Sequence, residues 1–123
     1  MTKRIRQRNP FNDALNGIIA SFRSEKNLRI HVALAAVAVA LGACLRLSRS
    51  EWCWIALCIT FVITLELVNT AIETWIDIVS PNEHPLAKKA KDAAAGAVLV
   101  AAAFAMTVGG IIFFPKLWVL VAG

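Results

Sequence analysis

The chain is 123 residues long, 59% hydrophobic and 17% charged, with a formal net charge of +5 and a mean hydropathy of +0.66. That length holds one domain, and that composition belongs to a membrane protein rather than to a soluble core. The basic residues cluster beside the apolar runs in a way that encodes topology, so the positive charge argues for no nucleic-acid partner.

In chain order, residues 1–9 form a basic tail containing Lys3, Arg4, Arg6 and Arg8. A helix is predicted over 10–28: Pro10 suits a first helical turn, Asn9 is its candidate cap, and Phe11, Leu15, Ile18, Ile19 and Phe22 form one apolar stripe. A basic amphipathic helix of this kind lies along the inner leaflet; the alternative is an ordinary helix packed on a partner subunit. Glu25 to His31 reads as a polar bridge leading into a first span over 29–47. Ser48 to Glu51 make a short outer turn, with Ser50 as a candidate cap for a second span over 51–79. Ser80 to Pro85, with two prolines, should break the helix, and a third span is predicted over 86–114, stopping at Pro115. This last span is rich in Ala and Gly, which lets membrane helices approach closely and places it inside a bundle. A bilayer crossing takes about 20 residues, and the three runs meet that, the first only with its flanks.

Charge orients the spans. With the N-terminus inside, ten Lys and Arg residues fall on the cytoplasmic side and three outside. Trp52 and Trp54 then mark the outer end of the second span and Trp75 its inner end. No cleavable signal-peptide pattern is read at the N-terminus. Cys44, Cys53 and Cys58 are odd in number and lack CxxC spacing, which favours small apolar fillers over a metal site or a disulfide.

The chemistry concentrates in the second span. Glu66, Asn69, Glu73 and Asp77 recur at three- and four-residue steps and so share one helix face. A charge near the bilayer centre costs about 2.5–3.5 kcal/mol on insertion scales, so packing alone is a poor reason for acids here. Glu66 lies fourteen residues beyond Trp52, or about 21 Å, which is the cytoplasmic third of a core about 30 Å thick. Glu73 falls near the inner interface. A carboxyl buried like Glu66 can act as a base near neutral pH. Glu73, with Glu25 from another segment, suits a divalent cation such as Mg²⁺, and Lys88 and Lys91 at the water edge suit phosphate. These parts suggest phosphoryl transfer to a hydroxyl held at the membrane. The bland alternative is that the acids and the amide clasp neighbouring helices, His31 and His84 being structural. No Walker A, GxGxxG, HExxH or GxSxG occurs.

The segment E-L-V-N-T-A-I-E-T-W-I-D (Glu66 to Asp77), followed by A-K-D-A-A-A-G-A-V-L-V (Ala90 to Val100), closely resembles the signature of the prokaryotic diacylglycerol kinase/undecaprenol kinase family, over about residues 6 to 118. The resemblance implies an all-α membrane protein: an N-terminal surface helix plus three transmembrane helices, assembled as a homotrimer in the bacterial cytoplasmic membrane. It implies transfer of the γ-phosphate of ATP, with Mg²⁺, to a lipid alcohol. Glu66 corresponds to the general base, which meets the lipid hydroxyl together with Asn69. Glu25 and Glu73 correspond to the metal carboxylates. Arg6, Asn82, Glu83, His84, Lys91 and Asp92 fall at the nucleotide, although within Asn82-Glu83-His84 only His84 matches the family in type. The E-K-N-L-R-I-H segment, with His31 where diacylglycerol-type enzymes look acidic, resembles the undecaprenol branch. Diacylglycerol is the alternative substrate. A small membrane transporter or an assembly subunit is the alternative of another class.

Overall fold

The computed structural model describes residues 7–123, which fold into α1 (Pro10–Ser24), α2 (Lys26–Leu45), α3 (Arg49–Val79) and α4 (Pro85–Ala122). The last three are each long and apolar enough to cross a membrane. This is the expected architecture of a short leading helix and three spans. α3 and α4 pack most extensively, α2 lies mainly on α3, and α1 rests on both α2 and α3.

Local chemistry explains most helix ends. Asn9 caps α1 as its sequence suggests, its side-chain oxygen accepting from the N–H of Phe11 at 3.1 Å and of Asn12 at 3.4 Å. α1 stops at Ser24, short of the expected residue 28, because Glu25 is extended (φ −107°, ψ 110°) and the next helix begins at once. The stretch after Glu25 is therefore helical and is not a polar bridge. Arg29 makes so abrupt a joint feasible. Its guanidinium reaches back to donate to the carbonyls of Phe22 (3.0 Å) and Arg23 (2.8 Å), which the end of α1 leaves without helical partners. Leu28, 1% exposed, is buried beside the same joint.

α2 ends with Arg46 in the left-handed region (φ 55°), an unusual conformation for a residue with a Cβ. The turn lets the Leu47 N–H reach the Gly42 carbonyl at 3.2 Å. It also folds Leu47 back over Gly42, where a Cβ would stand 2.8 Å from both Leu47 Cδ1 and Trp52 Cη2. Gly42 is thus required by close approach. Gly42→Ala is expected to destabilise the fold by about 1–3 kcal/mol, the usual range for an overpacked core. The Trp52→Phe change, which removes Cη2, should recover part of that loss. Thermal unfolding of the two single variants and the double variant in detergent measures both effects.

Ser48, rather than Ser50, caps α3. Its hydroxyl accepts from the Glu51 N–H at 3.2 Å, and the Glu51 carboxylate accepts from the Ser48 N–H at 3.0 Å, a reciprocal capping box. α4 continues through Pro115 to Ala122, past the expected stop. Proline removes one backbone donor and crowds the preceding turn, but apolar helices tolerate it when neighbours hold both sides. Here Phe114 stacks on Trp118 across the proline (centroids 6.2 Å apart), and Lys116 Nζ lies 3.3 Å from Glu51 of α3.

A small core of Leu47, Ile55 and Ile112, flanked by Trp52, Ile59, Val108 and Phe113, closes the end of the bundle remote from α1. Elsewhere large apolar side chains such as Leu34, Leu57, Leu99 and Met106 stay exposed, as surfaces facing lipid or another helix do. Ala101 of the small-residue face is buried, at 1% exposure, whereas Gly96 and Gly110 have open space around them within the chain. Cys44, Cys53 and Cys58 are free thiols.

Candidate active site

The acidic row predicted on α3 is present, and each of its members meets a different neighbour. Glu66 is 4% exposed, inside the bundle, where a carboxylate needs a partner. That partner is His31 of α2, whose Nε2 lies 3.3 Å from Glu66 Oε1. One turn along α3, the Asn69 side-chain amide donates to Glu73 Oε1 at 3.4 Å. Its other atom, Oδ1, is buried without a hydrogen-bond partner among the described residues. An orphan acceptor of that kind is uncommon, and at a site it points to a group that arrives from outside. At the end of the row Asp77 pairs with Lys91 of α4. From Glu66 to Asp77 the row spans eleven residues, about 16 Å of helix. One helix face thus runs from a buried acid to the loop end of the bundle.

Two threonines keep this face helical without adding free polar groups. Thr70, 9% exposed, donates its hydroxyl to the Glu66 carbonyl at 3.0 Å, and Thr74 does the same to the Thr70 carbonyl at 2.8 Å. Glu25 occupies the joint between α1 and α2 and is half-buried.

The residues assigned by resemblance to the nucleotide also come together. Asn82, Glu83, His84, Lys91 and Asp92 line one pocket of about 820 Å³ between the end of α3 and the start of α4, with Asp77 on its wall. His84 has a local duty there: its Nδ1 accepts from the Leu86 N–H at 3.1 Å and caps α4, which leaves Nε2 as the ring's free position. Lys88 reaches Asp92 within the same turns of helix, so both lysines and both aspartates of the pocket are paired inside the chain. Arg6 lies outside the described residues.

Sequence reasoning passed over His31 as a member of the site. A readable signal existed, since it is an ionisable residue inside an otherwise apolar run. Its partner is not readable from spacing, because α2 and α3 meet only through packing. Among the described residues, no group of three or more His, Cys, Asp or Glu side chains could hold a metal ion unaided.

Comparison with known proteins identifies the family. The family model for prokaryotic diacylglycerol kinase matches residues 12–113. The chain is 46% identical over 107 residues to the undecaprenol kinase of Bacillus subtilis (strain 168), covering 87% of each protein. It is 40% identical over 108 residues to the diacylglycerol kinase of Synechocystis sp., covering 87% of this chain and 62% of that one. It is 42% identical over 89 residues to the diacylglycerol kinase of Pseudomonas aeruginosa, covering 72% of each. A family model matched over residues 12–113 and relatives of this identity and coverage carry one conclusion: the chain belongs to the prokaryotic diacylglycerol kinase family of membrane lipid kinases.

Proposed function

We propose that the chain transfers the γ-phosphate of ATP to the hydroxyl of undecaprenol, giving undecaprenyl phosphate. The observation that carries this reading is the row Glu66–Asn69–Glu73–Asp77, which leads from an acid 4% exposed inside the bundle to Asp77 on the wall of the polar pocket between α3 and α4. An alcohol dissolved in lipid and a nucleotide dissolved in water meet only along such a path. Glu66 accepts the proton of the lipid hydroxyl as the oxygen attacks the γ-phosphorus, and ADP leaves in line. Asn69 Oδ1, buried and without a partner among the described residues, accepts from the lipid hydroxyl as it enters and gives up that hydrogen bond when the proton passes to Glu66. Lys91, freed from Asp77, faces the charge on the moving phosphoryl group. Asn82, Glu83, His84 and Asp92 bound the proposed nucleotide pocket, and a nucleotide role for Arg6 rests on the family resemblance alone.

The donor set fits Mg²⁺. Glu73 and Glu25 are hard oxygen ligands, and Mg²⁺ characteristically takes one or two carboxylates and completes its shell with phosphate and water. That habit agrees with the lack of a self-sufficient metal cluster among the described residues. Bound there, the ion would neutralise the phosphates. The protein works as a homotrimer in the bacterial cytoplasmic membrane with its N-terminus inside, and α1 lies on the inner leaflet. The charge asymmetry and the apolar stripe of α1, with Phe11 73% exposed, support this placement.

The choice of undecaprenol rests on the 46% identical relative of that name and on His31 at the acid. Diacylglycerol is the second reading, favoured by relatives of that name at 40% and 42% identity. Purified protein in detergent, given labelled ATP and each alcohol in turn, distinguishes them. Undecaprenol should label faster than diacylglycerol by tenfold or more. The reverse ratio reassigns the substrate, and a membrane transporter or an assembly subunit would label neither.

A further inference from the structure

We propose that His31 is the positioning residue for the catalytic base: its Nε2 holds Glu66 Oε1 so that the second carboxylate oxygen is free for the alcohol. The proposal rests on the lipid-kinase reading of Glu66 and adds to it a residue from a different helix. Three observations carry it. The ring nitrogen lies 3.3 Å from Oε1, and Glu66 has no other side-chain partner among the described residues. Catalytic contacts of this length in a substrate-free enzyme commonly shorten when the complex forms. His31 is also the one polar lining residue of a cavity of about 340 Å³ between α2, α3 and α4, walled by apolar side chains such as Leu34, Val62 and Met106. An alcohol arriving from hydrocarbon through that cavity meets the imidazole on its wall, with Glu66 Oε1 3.3 Å from the ring nitrogen.

Each alternative partner fails for a physical reason. Glu25 and Glu73, the other charged groups that act on Glu66, repel it. α4 offers only apolar or small residues (Ala102, Ala105, Met106) to this cavity. A lysine or arginine at position 31 would carry a permanent charge in lipid and weaken Glu66 as a base. An imidazole can donate one hydrogen bond while neutral, which orients the carboxylate without fixing its charge. Orientation matters because an unrestrained carboxylate samples rotamers in which neither oxygen faces the substrate.

The test compares His31→Leu with His31→Gln in the full chain, using labelled ATP and undecaprenol, with folding of each followed by circular dichroism. Gln places an amide N–H near the position of Nε2, whereas Leu fills the space without a donor. His31→Leu is expected to lower kcat by about 10- to 100-fold, the range typical of a lost orienting partner, with KM for the lipid changed less than about threefold. His31→Gln should recover most of that loss. Should the leucine variant not fold, His31→Asn, whose amide stops short of the carboxylate, takes its place with the same expectation. Unchanged kcat in the donor-free variant overturns the assignment, as does a rise in KM alone or a glutamine variant no better than leucine. A wild-type chain that labels no alcohol overturns the kinase reading instead, so the two failures are distinguishable.

Discussion

Glu66→Gln is expected to abolish turnover while leaving the protein assembled. The substitution keeps the shape of the side chain and its reach toward His31, whose Nε2 lies 3.3 Å from Oε1. It removes the ability to take a proton. A positioned general base contributes about 10²–10⁴-fold to a rate, so kcat should fall by that factor. Nucleotide binding should persist, because the pocket of Asn82, His84, Lys91 and Asp92 lies at the other end of the row. Stability should hold or rise, since an uncharged side chain now occupies a position only 4% exposed. Labelling kinetics, nucleotide binding and thermal unfolding on the same preparation separate these effects. Full activity in this variant would remove Glu66 from the mechanism. A loss of nucleotide binding together with turnover would make the row a scaffold rather than a catalytic path.

The row is legible in the amino-acid sequence because it lies on one helix. Positions 66, 69, 73 and 77 need only the helical repeat to share a face, and the hydrogen bond from Asn69 to Glu73 follows from i,i+4 spacing. The three spans are legible for a similar reason, since each is a continuous apolar run. What spacing cannot supply is the neighbour across a helix interface. His31 meets Glu66, and Lys91 meets Asp77, only because α2 and α4 pack on α3 in one register. The early break at Glu25 belongs to the same class: a glutamate is not a usual cap, and the joint depends on Arg29 reaching back to α1. Two differences have other causes. Ser48-x-x-Glu51 is a capping-box pattern that competes with Ser50 and wins because it satisfies two backbone groups at once. Pro115 stops helices in water more readily than in an apolar setting, where stacking of Phe114 on Trp118 and the Lys116–Glu51 pair hold the chain in line.

The positions of these groups divide the labour by polarity. Glu66 is buried beside His31, which lines an apolar cavity to which α2 and α4 contribute almost no other polar atoms. Asp77, Lys91 and Asp92 line the polar pocket proposed for the nucleotide, and they are paired with each other or with Lys88. Paired charges at a water edge hold one another only weakly, so exchanging an internal partner for a phosphate is inexpensive. Asn69 and Glu73 bridge the two regions, and the unpartnered Asn69 Oδ1 marks the place where the chain leaves a hydrogen bond for something else to complete.

That middle position makes Glu73→Gln the second large effect. The glutamine retains an oxygen able to accept from the Asn69 amide, so the bond now 3.4 Å long can survive and the fold should be unaffected. The loss is one negative charge among the oxygen ligands proposed for Mg²⁺. A neutral amide oxygen is a poorer ligand than a carboxylate for a small divalent ion, whose few protein ligands are usually carboxylates. The magnesium concentration giving half-maximal rate should therefore rise by about tenfold or more, and kcat at saturating nucleotide should fall by about 10²-fold if charge on the phosphates is poorly neutralised. A readout independent of turnover is magnesium-dependent protection of the protein by a non-hydrolysable nucleotide in thermal unfolding, which should need correspondingly more metal. Glu73→Asp, which restores the charge on a shorter arm, should sit between the two. Were the glutamine variant to show wild-type magnesium dependence in both assays, Glu73 would be an inter-residue clasp for Asn69, and the metal would have to be held by Glu25 and the phosphates alone.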